Sequence, residues 1–223
     1  MSARDGVPGA AARLEARLAH GRPAGPVRFT LDGAEVTARP GETLLQVAER
    51  HDIPVPHLCY AEGMRPDGNC RACMVEIAGE RVLAPSCCRY PAEGMEVSTR
   101  SKRALRAQRM VLELLLTDAP EPPHDVDSEL SHWAKQLGVT AGRLPRRAPP
   151  EPDFSHSAIQ VRLDACIQCT RCVRACREVQ VNGVIGYAHR GAESLIVFDL
   201  ADPMGLSTWV EESSGKESAR SIR

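Results

Sequence analysis

Residues 166–176 read CIQCTRCVRAC, four cysteines spaced C-x2-C-x2-C-x3-C. No other feature of the chain narrows its possible folds so far. Three thiols carried by one short loop can cap three corners of a compact inorganic centre, and this spacing is the one that holds a [4Fe–4S] cluster. Cys166, Cys169 and Cys172 are the candidate ligands from the loop, with Cys176 as the candidate fourth. Cys176 follows Cys172 by about one helical turn, which is expected to aim it toward a neighbouring site. Where two such runs pair, the fourth cysteine of one run serves the cluster of the other.

The remaining cysteines form a second group. The chain has nine in all, an odd number that speaks against a disulfide framework and for metal or redox chemistry. The N-terminal MSARDGVPGAAARLEARLAHGRPAG mixes Arg, Asp and Glu into its apolar residues, which is not the pattern of a secretory signal. Within CYAEGMRPDGNCRAC and the later APSCC, Cys59, Cys70, Cys73 and Cys87 are spaced C-x10-C-x2-C-x13-C. The Cys70–Cys73 pair can bind one iron of a [2Fe–2S] cluster, and Cys59 and Cys87 the other. Gly63 and Gly68 let the intervening backbone approach a cluster closely. A zinc site, also built from Cys-x2-Cys, is the alternative. Cys88 is left over and is expected to be a buried spare thiol. His57 is expected to be a packing or surface histidine, and His124 a loop histidine.

Around the first group the pattern is that of a small α+β unit. VRFTLDGAEVTA gives two alternating runs about Asp32-Gly33, a hairpin signal. In PGETLLQVAERHDI, Leu44, Leu45, Val47 and Ala48 share a helical face, with Thr43 placed to cap it. MVEIAGERVLAPS gives a second hairpin, with Val75, Ile77, Val82 and Ala84 alternating about Gly79. Residues 101–117 (SKRALRAQRMVLELLLT) predict a helix with Leu105, Val111, Leu112, Leu115 and Leu116 on one side. SELSHWAKQLG predicts a shorter one ended by Gly138. Residues 1–25 are expected to be a disordered arm, with at most a short helix over 11–19. The predicted order is therefore a [2Fe–2S] domain over 26–100, a helical segment and Pro-rich linker over 101–156, a [4Fe–4S] domain over 157–205, and a polar tail over 206–223.

Charge and hydropathy exclude other classes. A net charge of −1 and 4% aromatic residues give no electrostatic footprint or stacking platform for nucleic acid. The most apolar stretch, MVLELLL, falls well short of the ~18 residues of a membrane span. No G-x-G-x-x-G run follows a predicted strand, so no dinucleotide site is expected. Arg171, Arg174 and Arg177 surround the second motif. They are expected either to form a solvated basic face or to favour the reduced, more negative cluster.

Three stretches carry a family resemblance: PDGNCRACMVEIAGERVLAPSCCR, LDACIQCTRCVRACREVQVNGVIGYAHRG and IVFDLADPMG. Over roughly residues 27–208 the chain resembles the N-terminal region of the alpha subunit of cytosolic, molybdenum- or tungsten-dependent, NAD-reducing formate dehydrogenase. The superfamily also includes electron-transfer subunits of complex I and of NAD-linked hydrogenases. The resemblance implies a β-grasp [2Fe–2S] ferredoxin domain and a bacterial-type [4Fe–4S] ferredoxin-like domain. It further implies a cytoplasmic electron relay between a molybdopterin subunit and a flavin/NAD subunit, with no catalytic centre in this stretch. A hydrogenase or NADH:quinone oxidoreductase subunit is the nearest alternative reading, and a zinc-stabilised interaction module the alternative of another class.

The sequence departs from that family in two places. The second C-x2-C-x2-C-x3-C run, which in the family follows DPMG and Ser-Thr, is replaced by Trp209 and EESSGKESARSIR. The chain is therefore expected to be a short subunit or a truncated one, with Cys176 facing a vacant second site. Complex I relatives also carry H-x3-C-x2-C-x5-C after the long helix. Here His124 is followed by Ser128, Ser131 and Leu137 at the matching places, so no cluster is expected there.

Overall fold

Asp32 and Gly33 both take positive φ, 49° and 87°, and turn the chain back on itself between β1 (Val27–Leu31) and β2 (Ala34–Ala38). Two consecutive left-handed residues give the turn whose twist matches paired strands. Register follows from the alternation: Phe29 pairs with Val36, and Phe29, Leu31, Val36 and Ala38 are all buried. The computed structural model describes residues 21–121, 123, 125–140, 143–154 and 160–198. The expectations for the N-terminal arm, His124 and the polar tail fall largely or wholly outside these residues. So does the stretch around Trp209.

By its internal contacts the chain forms two units. The first takes Cys73–Leu105 together with the described residues up to Val55. Its sheet has the order β2-β1-β5-β3-β4, with β3 at Met74–Ile77, β4 at Ala84–Pro85 and β5 at Glu96–Ser98. β1 and β5 run parallel, and the other pairs are antiparallel. One helix, α1 (Leu44–Arg50), buries Leu44, Leu45, Val47 and Ala48. Leu44, Leu45 and Val47 each contribute about 1.5–3 kcal/mol when fully buried. Thr43 caps the helix in a capping box: its hydroxyl accepts from Gln46 N–H, and the Gln46 side chain accepts from Thr43 N–H at 2.9 Å. Asp32 accepts from the backbone N–H of Thr99 at 2.7 Å, fastening the first turn to the end of β5. The mixed sheet with one packed helix is the expected β-grasp arrangement. One detail differs. Val82 is not in a strand and is 60% exposed, because the ladder of the second hairpin closes only at Met74↔Pro85 and Val75↔Ala84.

The second unit takes Pro56–Ala72 and the described residues from Arg106 on. The long helix α2 (Lys102–Asp118) and α3 (Glu129–Leu137) stand where their periodicity places them. Ser128 caps α3 by accepting from Ser131 N–H at 3.2 Å, and Gly138 ends it at a φ of 67°. Leu58, Ala72, Leu112 and Leu130 form the buried centre of this unit. His57 packs its ring against Tyr60 and Trp133, in keeping with a packing role. Residues 143–154 contain no helix or strand apart from an isolated bridge between Asp153 and Val161. Beyond it come the short helix α4 (Arg171–Arg174), a π-helical turn over Ala175–Val179, and a hairpin of β6 (Ile185–Ala188) and β7 (Leu195–Phe198).

Candidate metal centres

The loop of the CIQCTRC motif is shaped by two residues in an uncommon conformation. Gln168 and Thr170, on either side of Cys169, have φ of 54° and 63°. Left-handed backbone outside glycine costs on the order of 1 kcal/mol per residue and collects at functional sites. Left-handed residues in a turn help point successive N–H groups toward one concavity, a nest suited to an anionic group such as an iron–sulfur cluster. In this loop Gln168 N–H donates to Cys166 Sγ at 3.4 Å.

The loop is held from several sides. Tyr187 on β6 donates its hydroxyl to Gln168 O at 3.0 Å. Asn69 Nδ2 donates to the same carbonyl at 2.7 Å. Thr170 Oγ1 donates to Asp67 Oδ2 at 2.8 Å. Burial raises the Cys166 thiol above its ordinary pKa, and the neighbouring Cys169 adds to the rise. Cys172 is raised for the same reasons, by burial and then by Cys169 and Cys166. Tyr187 is raised by burial and by all three cysteines. Tyr187 is thus tied to the loop that carries Cys166, Cys169 and Cys172.

Cys176 is not turned the same way. Past Cys172 the chain widens into the π turn over Ala175–Val179. The Cys176 thiol is buried and donates to Asn182 Oδ1. Cys166, Cys169 and Cys172 influence one another's thiols, and the Cys176 thiol has Asn182 as its hydrogen-bond partner.

Of the first cysteine group, Cys59 and Cys70 belong to the second unit and meet there. The Cys70 thiol is raised strongly, first by its hydrogen bond with the Cys59 thiol and then by burial; the N–H of Ala72 acts in the opposite sense. Arg71, between Cys70 and Cys73, is again left-handed with a φ of 58°. Cys73 and Cys87 belong to the first unit, both fully buried, where Ser86 N–H donates to Cys73 O at 2.9 Å across the second hairpin. Cys88 is exposed rather than buried, its sulfur 3.5 Å from that of Cys87.

These residues fit the groups the spacing implies. The candidate donors are all thiols, and none of the nine cysteines is in a disulfide. A single zinc ion needs its ligands about 2.3 Å from one point. Backbone N–H groups at sulfur and left-handed residues beside Cys169 and Cys70 are features of a cluster nest.

The arginines correct the picture of a solvated basic face. Arg174 is only 5% exposed. Its guanidinium donates to Arg65 O at 2.5 Å, to Cys59 O, and to Thr170 Oγ1 at 3.3 Å. Arg171 donates to Tyr60 O at 2.6 Å and pairs with Glu129. Arg177 is exposed. Cysteine spacing could not have indicated Tyr187, Asn69 or Asn182. Arg174 had one local sign, its place four residues after Thr170.

Residues 24–102 match the family described as 2Fe-2S iron-sulfur cluster binding domain. Residues 157–205 match the NADH-quinone oxidoreductase subunit 3 ferredoxin-like domain. The chain is a [2Fe–2S] ferredoxin-like domain followed by a [4Fe–4S] ferredoxin-like domain. It is 36% identical over 184 residues to the NADP-reducing hydrogenase subunit HndD of Solidesulfovibrio fructosivorans, covering 75% of this chain and 30% of that one. It is 33% identical over 175 residues to the mitochondrial NADH-ubiquinone oxidoreductase 78 kDa subunit of Neurospora crassa, covering 74% of this chain and 23% of the relative. Among solved structures, a chain of an NAD+-reducing [NiFe]-hydrogenase in the H2-reduced state superposes with a TM-score of 0.71. Identity there is 28%, covering 80% of this chain and 79% of that one. The chain spans about a quarter to a third of the length of these two curated relatives. They are subunits of multisubunit oxidoreductases. Among the described residues no helix is long and apolar enough to cross a membrane.

Proposed function

We propose that this chain is the electron-relay part of an NAD(P)-linked multisubunit oxidoreductase of the hydrogenase or NADH:quinone type. One observation carries the reading: within the second unit, the loop bearing Cys59 and Cys70 is hydrogen-bonded directly to the loop bearing Cys166, Cys169 and Cys172. Asn69 reaches Gln168, and Asp67 accepts from Thr170. Two cluster loops fixed against each other serve one-electron transfer, which needs a short and constant separation and no substrate pocket.

When bound, the two clusters supply the one-electron chemistry. The chain's residues bind, orient and shield them. We assign Cys59, Cys70, Cys73 and Cys87 to the [2Fe–2S] group, on their spacing and on the thiol contact between Cys59 and Cys70. We assign Cys166, Cys169 and Cys172 to the [4Fe–4S] group, with the fourth position not filled by Cys176. Backbone N–H groups of Gln168 and Val173 act on the Cys166 and Cys172 sulfurs and favour their thiolate forms.

A second reading keeps the relay and changes the electron donor to formate, oxidised at a molybdopterin subunit. The motif LDACIQCTRCVRACREVQ supports it by resemblance alone, whereas the relatives' names favour hydrogenase and NADH-ubiquinone oxidoreductase. Anaerobic purification from the native cell with identification of co-purifying subunits tests both. A flavin/NAD subunit is expected in either case. A hydrogenase or quinone-reducing subunit beside it supports the first reading, and a molybdopterin subunit the second. A chain that purifies with no redox partner under these conditions contradicts the proposal.

A further inference from the structure

Arg174 presents a cost that the cysteine spacing does not explain. Its guanidinium is nine-tenths or more buried, and a buried charge is strongly unfavourable unless it is compensated. Its three partners, Cys59 O, Arg65 O and Thr170 Oγ1, are all neutral. Among the described residues no carboxylate pairs with it. Arg171, one turn earlier on the same helix, is different: its charge is met by Glu129. A positive charge with only neutral partners remains a net charge in a weakly screening interior, where its field reaches further than in water.

The placement of that charge is specific. Arg174 lies between Cys172 and Cys176 in sequence, and its fork grips the backbone of the other cluster loop at Cys59 itself. Arg65, whose carbonyl takes the second bond, pairs through its side chain with Glu178 at 3.4 Å. The side chain that enters the Cys59 loop thus starts from the helix carrying Cys172. Both candidate clusters are net anionic with thiolate ligands and become more so on reduction. Asp67 lies one hydrogen bond further out, accepting from the Thr170 hydroxyl that Arg174 also engages, and the clusters' anionic charge adds to it.

We propose that Arg174 is a shared positioning residue for the two cluster loops. It clamps the Cys59 backbone to the Cys172 helix and, by a buried charge that no carboxylate meets directly, raises the reduction potential of both clusters. A positive charge stabilises the more negative, reduced form of each, so its loss lowers both potentials. Lysine keeps the charge but lacks the planar fork that engages two carbonyls at once. The proposal rests on the electron-relay reading, and the unmodified chain tests that reading separately, since its own spectra show whether both clusters are present and reducible.

The experiment uses the full chain, purified anaerobically, with spin-resonance-monitored redox titration of the parent, R174Q, R174K and R171Q. In R174Q both midpoint potentials are expected to fall. In R174K they are expected to stay near the parent values. In R171Q they are expected to change less than in R174Q. Unchanged potentials in an R174Q protein that retains both signals overturn the electrostatic role, and a fall in one cluster alone overturns the shared one. If R174Q does not assemble, R174K decides. Hydrogen exchange of the cluster-free chain is then expected to show faster amide exchange over residues 59–66 than in the parent, and unchanged exchange there overturns the clamp.

Discussion

The Tyr187 hydroxyl donates to the carbonyl oxygen of Gln168 at 3.0 Å. It therefore holds down the left-handed residue next to Cys169, with Cys166, Cys169 and Cys172 all close enough to raise its pKa. Tyr187→Phe removes that bond and keeps the ring. A lost hydrogen bond of this kind costs about 0.5–1.5 kcal/mol. The variant is expected to bind the [4Fe–4S] cluster but to lose its visible absorbance in air faster than the parent, with the [2Fe–2S] signal unaffected. Equal bleaching rates in parallel samples show that the ring alone, or neither group, protects the loop.

Cys87 and Cys88 separate by burial, one fully buried and the other exposed. Cys70→Ser is expected to abolish the spin-resonance signal of the reduced [2Fe–2S] cluster. Cys88→Ser is expected to leave it unchanged in shape and intensity. If the Cys88 variant loses the signal, the wrong member of the pair has been assigned.

Cys176 donates to Asn182 rather than joining the other three sulfurs. Serine can keep that hydrogen bond, so Cys176→Ser should fold as the parent does. Its iron content and air stability are expected to match the parent, both forming a three-iron species on exposure to air. A variant that loses its [4Fe–4S] signal while the parent holds it in air identifies Cys176 as the fourth ligand.

The capping box at Thr43 offers a test of the first unit without touching a cysteine. Thr43→Ala leaves Gln46 N–H without its partner and is expected to destabilise the protein by about 1 kcal/mol, whereas Thr43→Ser keeps the capping hydroxyl and is expected to stay closer to the parent. Denaturant midpoints of the cluster-free chain measure the difference.

What is legible in the sequence is local. The turn at Asp32-Gly33, the cap at Thr43 and the helix end at Gly138 each depend on a few neighbouring residues, and each stands where its chemistry puts it. The three loop cysteines are also a local matter, since their spacing confines them to one turn of chain. The burial of Arg174 is not legible, because its partners Cys59 and Arg65 lie more than a hundred residues away in the chain. Tyr187 is close enough in sequence, but only the β6–β7 pairing brings it over the loop. Cys88 and Val82 depart from expectation for a related reason. Apolar character predicts burial on average; the short ladder of the second hairpin leaves Val82 outside it, and Cys88 is exposed next to the fully buried Cys87.

The central claim is that one chain carries two iron–sulfur clusters that exchange single electrons. A stepwise reductive titration of the anaerobically purified chain, followed by spin resonance with spin counting and metal analysis, tests it most directly. The expected result is about six irons per chain and two separately titrating signals, one from a [2Fe–2S] and one from a [4Fe–4S] cluster. Stoichiometric zinc with no visible absorption and no signal on reduction would contradict it.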